Sequence, residues 1–448
     1  MSPSGARNPS ADEEVDVAVE ISPEASAKDS IPPLVIRDGD FHSWLTVAGA
    51  FIVVFCSSGY VNSFGVYEDF YVREYLNHHS SSKIGWIGGA QTFCLFSMGI
   101  FSGYAIDVGY FHPVMLTGSG LFIFCLFMMS LSQPQQWYQL FLAQGIGLGI
   151  AIGSIYIPAL GVVAHHFKQK RSLVMGIVAS ASSLGGVVHP IMLNILIHGP
   201  VGFHWGVRIS SFMNLVLLVA ANCMMRTRLP TRTKELSSQF TYWAGFFLDK
   251  TYITATAGTF LLIMGVFFPI FYLQLDAVEH GAGTNLAFYS IAILNGSSAF
   301  GRVVPTIFAD RCGVFTLLVP CTLACGILIF ATDAVVSIGN PGVVVMAILY
   351  GFFSGACISL LGPMLANFAK DVSEVGARIG ICFGVGGIGS LIGPPIMGAL
   401  LTSRNIWIRP IIFSGISMCL AALFLMIAGI HVRHIRANRR VDAEGQQP

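Results

Sequence analysis

Long apolar runs recur along the chain and alternate with short polar segments. The runs lie near residues 44–66, 84–106, 112–132, 138–164, 171–195, 204–225, 251–275, 284–308, 313–333, 341–366, 376–401 and 407–430. An α-helix needs about 20 apolar residues to cross the roughly 30 Å hydrocarbon core of a bilayer. The pattern therefore predicts an all-α membrane protein with twelve transmembrane helices, six on each side of a polar segment.

The polar segments divide the chain into five parts. The first 40 residues contain Ser, Pro, Asp and Glu with few bulky apolar residues, which is typical of disorder, and they lack the pattern of a secretory signal. We predict the following organisation: a disordered cytosolic tail at 1–40, a six-helix bundle at 41–225, a cytosolic linker at 226–250, a second six-helix bundle at 251–430 and a cytosolic tail at 431–448.

The distribution of Lys and Arg predicts the orientation. With both termini in the cytosol, 18 of the 24 Lys and Arg residues fall on the cytosolic side, five on the opposite side, and one, Arg302, within a helix. Because cytosolic loops of membrane proteins retain positive charge, this asymmetry favours an even number of spans. Plasma and vacuolar membranes both fit the pattern, and we expect the plasma membrane.

Composition narrows the classes of ligand. The chain is 54% hydrophobic and 10% charged, with a formal net charge of +1, so membrane lipids are expected around it and nucleic acid is not. The ten cysteines form no CxxC pair, and we expect no metal. No phosphate-binding GxxxxGK[ST] pattern is present, so neither ATP nor another cofactor is expected.

The two halves of the chain repeat weakly. The segment SLGGVVHPIM at 183–192 is similar to GSLIGPPIMG at 389–398. Asp107 follows the second predicted helix as Asp310, Arg311 and Gly313 follow the eighth. Two six-helix repeats joined by a polar loop resemble the architecture of major facilitator transporters, whose solute site lies between the halves.

Four segments carry a closer resemblance. They are DGDFHSW at 38–44, SFGVYEDF at 63–70, HHFKQKRSLVMGIVASASSLGG at 165–186 and NGSSAFGRVVPTIFADRCG at 295–313. From about Asp38 to Arg440 the chain resembles the monocarboxylate porter family of the major facilitator superfamily, in its fungal branch. The resemblance implies a secondary transporter. Animal lactate-type members carry a lysine and an aspartate where this chain has Asn62 and Ser298, which argues against lactate-type proton symport.

Arg302 is the sharpest candidate for binding a substrate. A guanidinium within a membrane helix needs a partner or a water-filled cavity, and it binds a carboxylate through two parallel hydrogen bonds. The alternative is a structural arginine that bonds helix carbonyls or reaches toward Asp310. The amides of Asn62, Asn295 and Gln144 are further substrate-binding candidates, although each could simply link two helices.

Other polar residues are candidates for proton transfer and gating. His189 lies well inside a predicted span and could relay a proton, or it could be a packing histidine beside Pro190. Asp107 and the group Asp310, Arg311 and Gly313 form an inner-loop motif that we assign to gating. No Asp or Glu lies deep in a predicted span.

These features predict a carrier of a small organic anion or metabolite that works by alternating access. Efflux of a fungal secondary metabolite is one direction, and uptake of a monocarboxylate or vitamin-like compound is the other. A nutrient sensor with a transporter fold is an alternative of another class. An enzyme is not expected, because the predicted spans hold neither paired acids nor a Ser with a His at motif spacing.

Overall fold

The computed structural model describes residues 39–228, 245–281, 283–369, 374–401 and 407–444. Most of the predicted N-terminal tail, residues 229–244 of the predicted linker and the last four residues lie outside the described residues. Within the described part, every regular element is helical, as the apolar pattern predicts.

Twelve helices in the described part are long and apolar enough to cross a membrane, which confirms the predicted number. Their spans are α1 Phe41–Tyr75, α2 Lys83–Asp107, α3 Phe111–Ser130, α4 Trp137–His165, α5 Arg171–His198, α6 Gly202–Met224, α7 Lys250–Glu279, α8 Tyr289–Cys312, α9 Val314–Val336, α10 Asn340–Ala366, α11 Val375–Leu401 and α12 Ile408–His434. Helices α2, α8 and α12 are longer than these spans. As complete helices they cover Ser81–Asp107, Thr284–Cys312 and Ile408–Glu444. We call the side where α1 begins and the α12 span ends the terminal face, and the opposite side the distal face.

Helix α1 is longer than predicted and is interrupted. The apolar pattern predicts an end near residue 66, whereas the structure continues the helix to Tyr75. The regular helix breaks at Asn62 and Ser63, between the segments Ser58–Val61 and Phe64–Phe70. A broken helix exposes backbone groups and is typical of helices that line a solute site.

The described residues of the DGDFHSW segment, 39–44, hold the start of α1 in place. The Asp40 carboxylate accepts a hydrogen bond from Ser43 N at 3.2 Å, which caps the helix, and it pairs with Arg228 at 3.1 Å. The Trp44 ring contacts the Phe167 ring edge-on, with centroids 5.4 Å apart. This segment therefore connects α1 to the loop before α5 and to the chain that follows α6.

The outer surface of the bundle is apolar. Large side chains such as Phe101, Phe124, Ile195, Val216 and Phe300 are exposed on different helices. A water-soluble monomer rarely exposes apolar surface on this scale, so this surface fits a lipid environment.

The two halves of the chain meet mainly along two helix pairs, α2 with α11 and α5 with α8. In the first pair, Gly99 and Gly103 of α2 face Gly380 and Gly376 of α11, and a Cβ atom at Gly103, Gly376 or Gly380 would collide with the backbone of the other helix. In the second pair, a Cβ atom at Gly176 would lie 2.7 Å from the Arg302 carbonyl oxygen. These contacts hold the halves together at the terminal face.

Candidate functional site

A group of polar side chains lies where α1, α5 and α8 meet. We call it the polar cluster and define it by its members: Asn62, Ser183, Asn295, Ser298 and Arg302. The Ser183 and Ser298 hydroxyl groups are 3.1 Å apart. Both serines are buried, so the cluster joins the two halves inside the protein.

Arg302 lies in the buried part of this cluster and is 8% exposed. Its Nη1 atom donates to the Ala179 carbonyl oxygen of α5 at 3.1 Å, and its Nε atom lies 3.4 Å from Ser298 Oγ. No carboxylate of the described residues lies within ion-pair distance of it. The arginine thus bonds a helix carbonyl, one of the two structural alternatives, and keeps a buried positive charge that no described carboxylate neutralises.

The amides of Asn62 and Asn295 meet at Gly186 of α5. A Cβ atom at Gly186 would lie 2.9 Å from Asn62 Nδ2 and 3.0 Å from Asn295 Oδ1. Both amide nitrogens donate to carbonyl oxygens within their own helices, to Ser58 at 3.3 Å and to Ile291 at 3.1 Å. Because glycine has no side chain at position 186, one amide from each half can lie against the same point of α5.

Gln144 does not join the polar cluster. It is buried in α4, where its Oε1 atom accepts a hydrogen bond from the Tyr71 hydroxyl of α1 at 2.8 Å. It lies in an irregular, widened turn at Phe141–Leu148. The structure thus brings three of the four predicted substrate-binding residues together and gives the fourth a contact that links α1 to α4.

His189 is fully buried between the rings of Phe55 and Tyr60, with centroids 4.8 and 5.2 Å away. Its Nε2 atom lies 3.2 Å from the Phe55 carbonyl oxygen. Its Nδ1 atom has no hydrogen-bond partner among the described residues. The imidazole links α5 to α1 and keeps one ring nitrogen free.

Asp107 and Asp310 make equivalent contacts in the two repeats. Asp107, at the end of α2, accepts hydrogen bonds from the Gly376 and Ala377 amides at 2.9 and 2.6 Å. Asp310, near the end of α8, accepts from the Ser172 and Leu173 amides at 3.1 and 3.4 Å. Each carboxylate therefore caps the first turn of a helix in the opposite half, where unsatisfied N–H groups and the helix dipole favour negative charge.

The other members of the predicted gating motif lie beside these caps. Gly313 follows α8 with φ +88°, and Gly109 follows α2 with φ +93°, a backbone conformation that glycine adopts without steric cost. Arg311 is exposed. Both loops turn sharply after the capping carboxylate, so the weak sequence repeat corresponds to a repeated structural element.

The helices extend past the predicted apolar runs and so take in acidic residues, among them Glu68 and Asp276, that those runs leave out. Glu68 is in the extension of α1, with its Oε1 atom facing Gly85 of α2. Asp276 is in the last turns of α7 and is 1% exposed. Both helices continue past the apolar runs, and residues at such helix ends are hidden from a search that uses hydropathy alone.

Comparison with known proteins identifies the class. The chain matches the family model of the Major Facilitator Superfamily over residues 44–340 and again over 258–446. The chain therefore belongs to the major facilitator superfamily, a superfamily of transporters, and is an integral multi-pass membrane protein.

Fungal transporters are among its similar relatives. It is 40% identical to the aspyridones efflux protein apdF of Emericella nidulans over 85% of this chain and 76% of that one. It is 37% identical to MFS-type transporter 1 of an Ophiocordyceps species, over 92% and 90% of the two chains. It is 36% identical to the agnestins efflux protein AgnL12 of Paecilomyces divaricatus, over 87% and 88%.

Solved structures share the fold. The chain resembles the Escherichia coli fucose:proton symporter FucP with a TM-score of 0.66 and 14% identity, over 86% of this chain and 98% of that one. It resembles the human organic anion transporter MFSD10 with a TM-score of 0.62 and 15% identity, over 86% and 97%. At these identities the likeness establishes the twelve-helix fold.

Proposed function

We propose that this protein exports a small organic anion of the secondary-metabolite class by alternating access between the bundles at 41–225 and 251–430. The relatives named as efflux proteins for aspyridones and for agnestins support this direction of transport. The finer grouping in the monocarboxylate porter family belongs to the same proposal, and it is supported by the four segments that resemble that family.

The proposal places both termini in the cytosol and the protein in the plasma membrane. The Lys and Arg asymmetry of 18 against five supports this orientation. The terminal face is then the cytosolic face, and the contacts of α2 with α11 and of α5 with α8 close the protein to the cytosol. Asp107 and Asp310 each cap a helix of the other half, and these contacts stabilise the closed state.

The observation that carries the proposal is the buried, unneutralised charge of Arg302. A buried charge is costly unless a counter-charge or a polar environment compensates it. The described carboxylates do not supply that counter-charge, whereas an anionic substrate at the polar cluster would supply it. Asn62 and Asn295 would bond the polar groups of the same substrate, one from each half.

His189 completes the proposal as a proton carrier. Its free Nδ1 atom could accept a proton while Nε2 remains bonded to α1, and protonation would place a charge beside the junction of α1 and α5. Coupling of transport to protons through this residue would then depend on a proton gradient and on the imidazole.

The test is transport of labelled carboxylates by the full-length protein in proteoliposomes, with and without a proton gradient. We expect Arg302→Ala to reduce transport tenfold or more, because a hydrogen bond to a charged group contributes about 1.5–3 kcal/mol. Arg302→Lys, which keeps the charge, should retain part of the activity. Arg302→Gln, which keeps a hydrogen-bond donor, should not.

Arg208 provides a matched control. Its guanidinium lies in α6 over the Trp205 ring at 4.9 Å, with Nε 3.3 Å from Ser130 Oγ. Arg208→Ala should leave transport of the carboxylates close to wild type. If Arg302→Ala folds and transports carboxylates as well as wild type does, the anion-binding role is wrong, and a neutral substrate held by the amides becomes the better hypothesis.

A further inference from the structure

Three potential metal ligands converge at the distal ends of α7 and α9. They are Asp276 in the last turns of α7, His280 just after it, and Asp333 in α9. One ligand atom from each residue lies within 4.8 Å of the other two. His280 Nδ1 is 3.0 Å from Asp276 Oδ1, and His280 Nε2 is 3.9 Å from Asp333 Oδ1.

Asp276 is the unusual member of the group. Its side chain is buried, and His280, with Nδ1 3.0 Å from Asp276 Oδ1, is the one cationic group of the described residues within ion-pair distance of it. The nearby Glu279 differs, since its Oε2 atom accepts a hydrogen bond from Trp407 Nε1 at 2.9 Å. A buried carboxylate that faces only one partly exposed imidazole is expensive, and a cation at the point where the three side chains meet would compensate its charge.

The orientation of His280 suits a residue that coordinates a metal ion. Its Nδ1 atom lies 3.0 Å from the backbone carbonyl oxygen of Asp276, one turn earlier. A neutral imidazole that donates Nδ1–H to this carbonyl presents the lone pair of Nε2 toward Asp333. Histidines that bind metals are commonly oriented in this way, with the second ring nitrogen bonded to a carbonyl or carboxylate oxygen.

We propose that Asp276, His280 and Asp333 bind one divalent cation of the Zn²⁺ type, which joins α7 to α9 at the distal face. One imidazole nitrogen and two carboxylate oxygens are three ligands of the kind that Zn²⁺ accepts at about 2.0–2.2 Å, with water at a fourth position. Ca²⁺ and Mg²⁺ prefer sites built from oxygen alone. The two carboxylates neutralise the charge of the ion.

Access and location agree with this assignment. The Asp333 side chain is 55% exposed and that of His280 is 27% exposed, so an ion can enter from solvent and reach the buried Asp276. The ligands come from two helices of the same half, and the site lies apart from the polar cluster. It therefore does not depend on which substrate the protein transports.

The test is titration of Zn²⁺ alone into the chelator-treated, full-length protein in detergent, by isothermal calorimetry and by thermal unfolding. We expect one saturable Zn²⁺ site and a rise in melting temperature on binding. Asp276→Asn and His280→Ala should each weaken binding at least tenfold. Asp333→Asn changes an exposed side chain, so it tests the site even if removal of the buried Asp276 charge disturbs folding.

His198 gives a matched control at the end of α5. Its Nδ1 atom also contacts the backbone carbonyl oxygen four residues earlier, that of Asn194, at 3.1 Å. The residue at that position is an amide instead of a carboxylate, so His198→Ala should leave Zn²⁺ binding unchanged. The proposal is overturned if wild type shows no saturable binding of Zn²⁺. It is equally overturned if binding persists in all three ligand variants, because the ion would then be held elsewhere, for example by exposed Cys223 or Cys312.

Discussion

The two carboxylate caps at the terminal face predict a measurable gate. Asp107 accepts bonds from Gly376 and Ala377 of the other half, and Asp310 accepts from Ser172 and Leu173. Opening of the terminal face separates α2 from α11 and α5 from α8, so all four amides lose their acceptor together. The perturbation is Asp107→Asn, which keeps the shape of the side chain and removes its charge.

The expected size follows from the geometry. A charge at a helix N-terminus contributes up to about 2 kcal/mol when it is partly buried, and hydrogen bonds to charged groups are stronger than neutral ones. Asparagine retains one acceptor oxygen, so we expect a loss of about 1–2 kcal/mol from the closed state. This corresponds to an increase of about 5–30-fold in the open-to-closed ratio.

Hydrogen exchange measured by mass spectrometry reports this ratio directly. In Asp107→Asn, amide exchange at the start of α11 should rise by about 5–30-fold. If both caps open in one transition, exchange at the start of α5 should rise by the same factor, although the helix that Asp107 caps is α11 and α5 is capped by Asp310. Asp310→Asn should give the reciprocal result.

A surface carboxylate provides the control. Asp69 forms an exposed pair with Arg73, so Asp69→Asn should leave exchange at both helix starts unchanged. If Asp107→Asn raises exchange at the start of α11 alone, the cap is a local helix-stabilising contact. The reasoning that makes it part of a gate is then refuted.

Two further substitutions separate the polar cluster from the structural contacts. Gly186→Ala places a methyl group about 3 Å from Asn62 and Asn295, so we expect several-fold slower carboxylate transport with little change in melting temperature. Gly120→Ala is the control, because a Cβ atom there has no neighbouring atom within 4 Å. Equal transport by both variants would contradict the placement of the site. Tyr71→Phe leaves buried Gln144 Oε1 without its hydrogen-bond donor and should lower the free energy of unfolding by about 1–3 kcal/mol in chemical denaturation. Transport per folded molecule should persist. Loss of transport would make Gln144 a substrate-binding candidate again.

Much of the fold followed from the sequence because lipid imposes strict requirements on a chain. Each backbone polar group in a membrane must be satisfied internally, so an apolar run of sufficient length has to be a helix. The number of helices could be deduced for this reason, and the repeat of Asp107 at Asp310 from their equivalent positions after the second and eighth apolar runs. Arg302 could be singled out on the same ground, since a charge inside such a run is expensive.

The tertiary structure decided which residues act together. Gly186 brings Asn62 and Asn295 to one point, and no spacing in the chain indicates this, because the contact depends on the close approach of α5 to two other helices. The same holds for Gln144, which packing directs to Tyr71 and away from the polar cluster.

The helix ends also separate what the sequence predicts from what the tertiary structure decides. Hydropathy ends α7 near residue 275 and therefore hides Asp276, which becomes significant only when the fold places Asp333 of α9 beside it. The Asp107 carboxylate caps a helix 269 residues further along the chain. Local pattern thus determined the helices of this protein, whereas the charges that join them depend on contacts between distant segments, which only the packed structure defines.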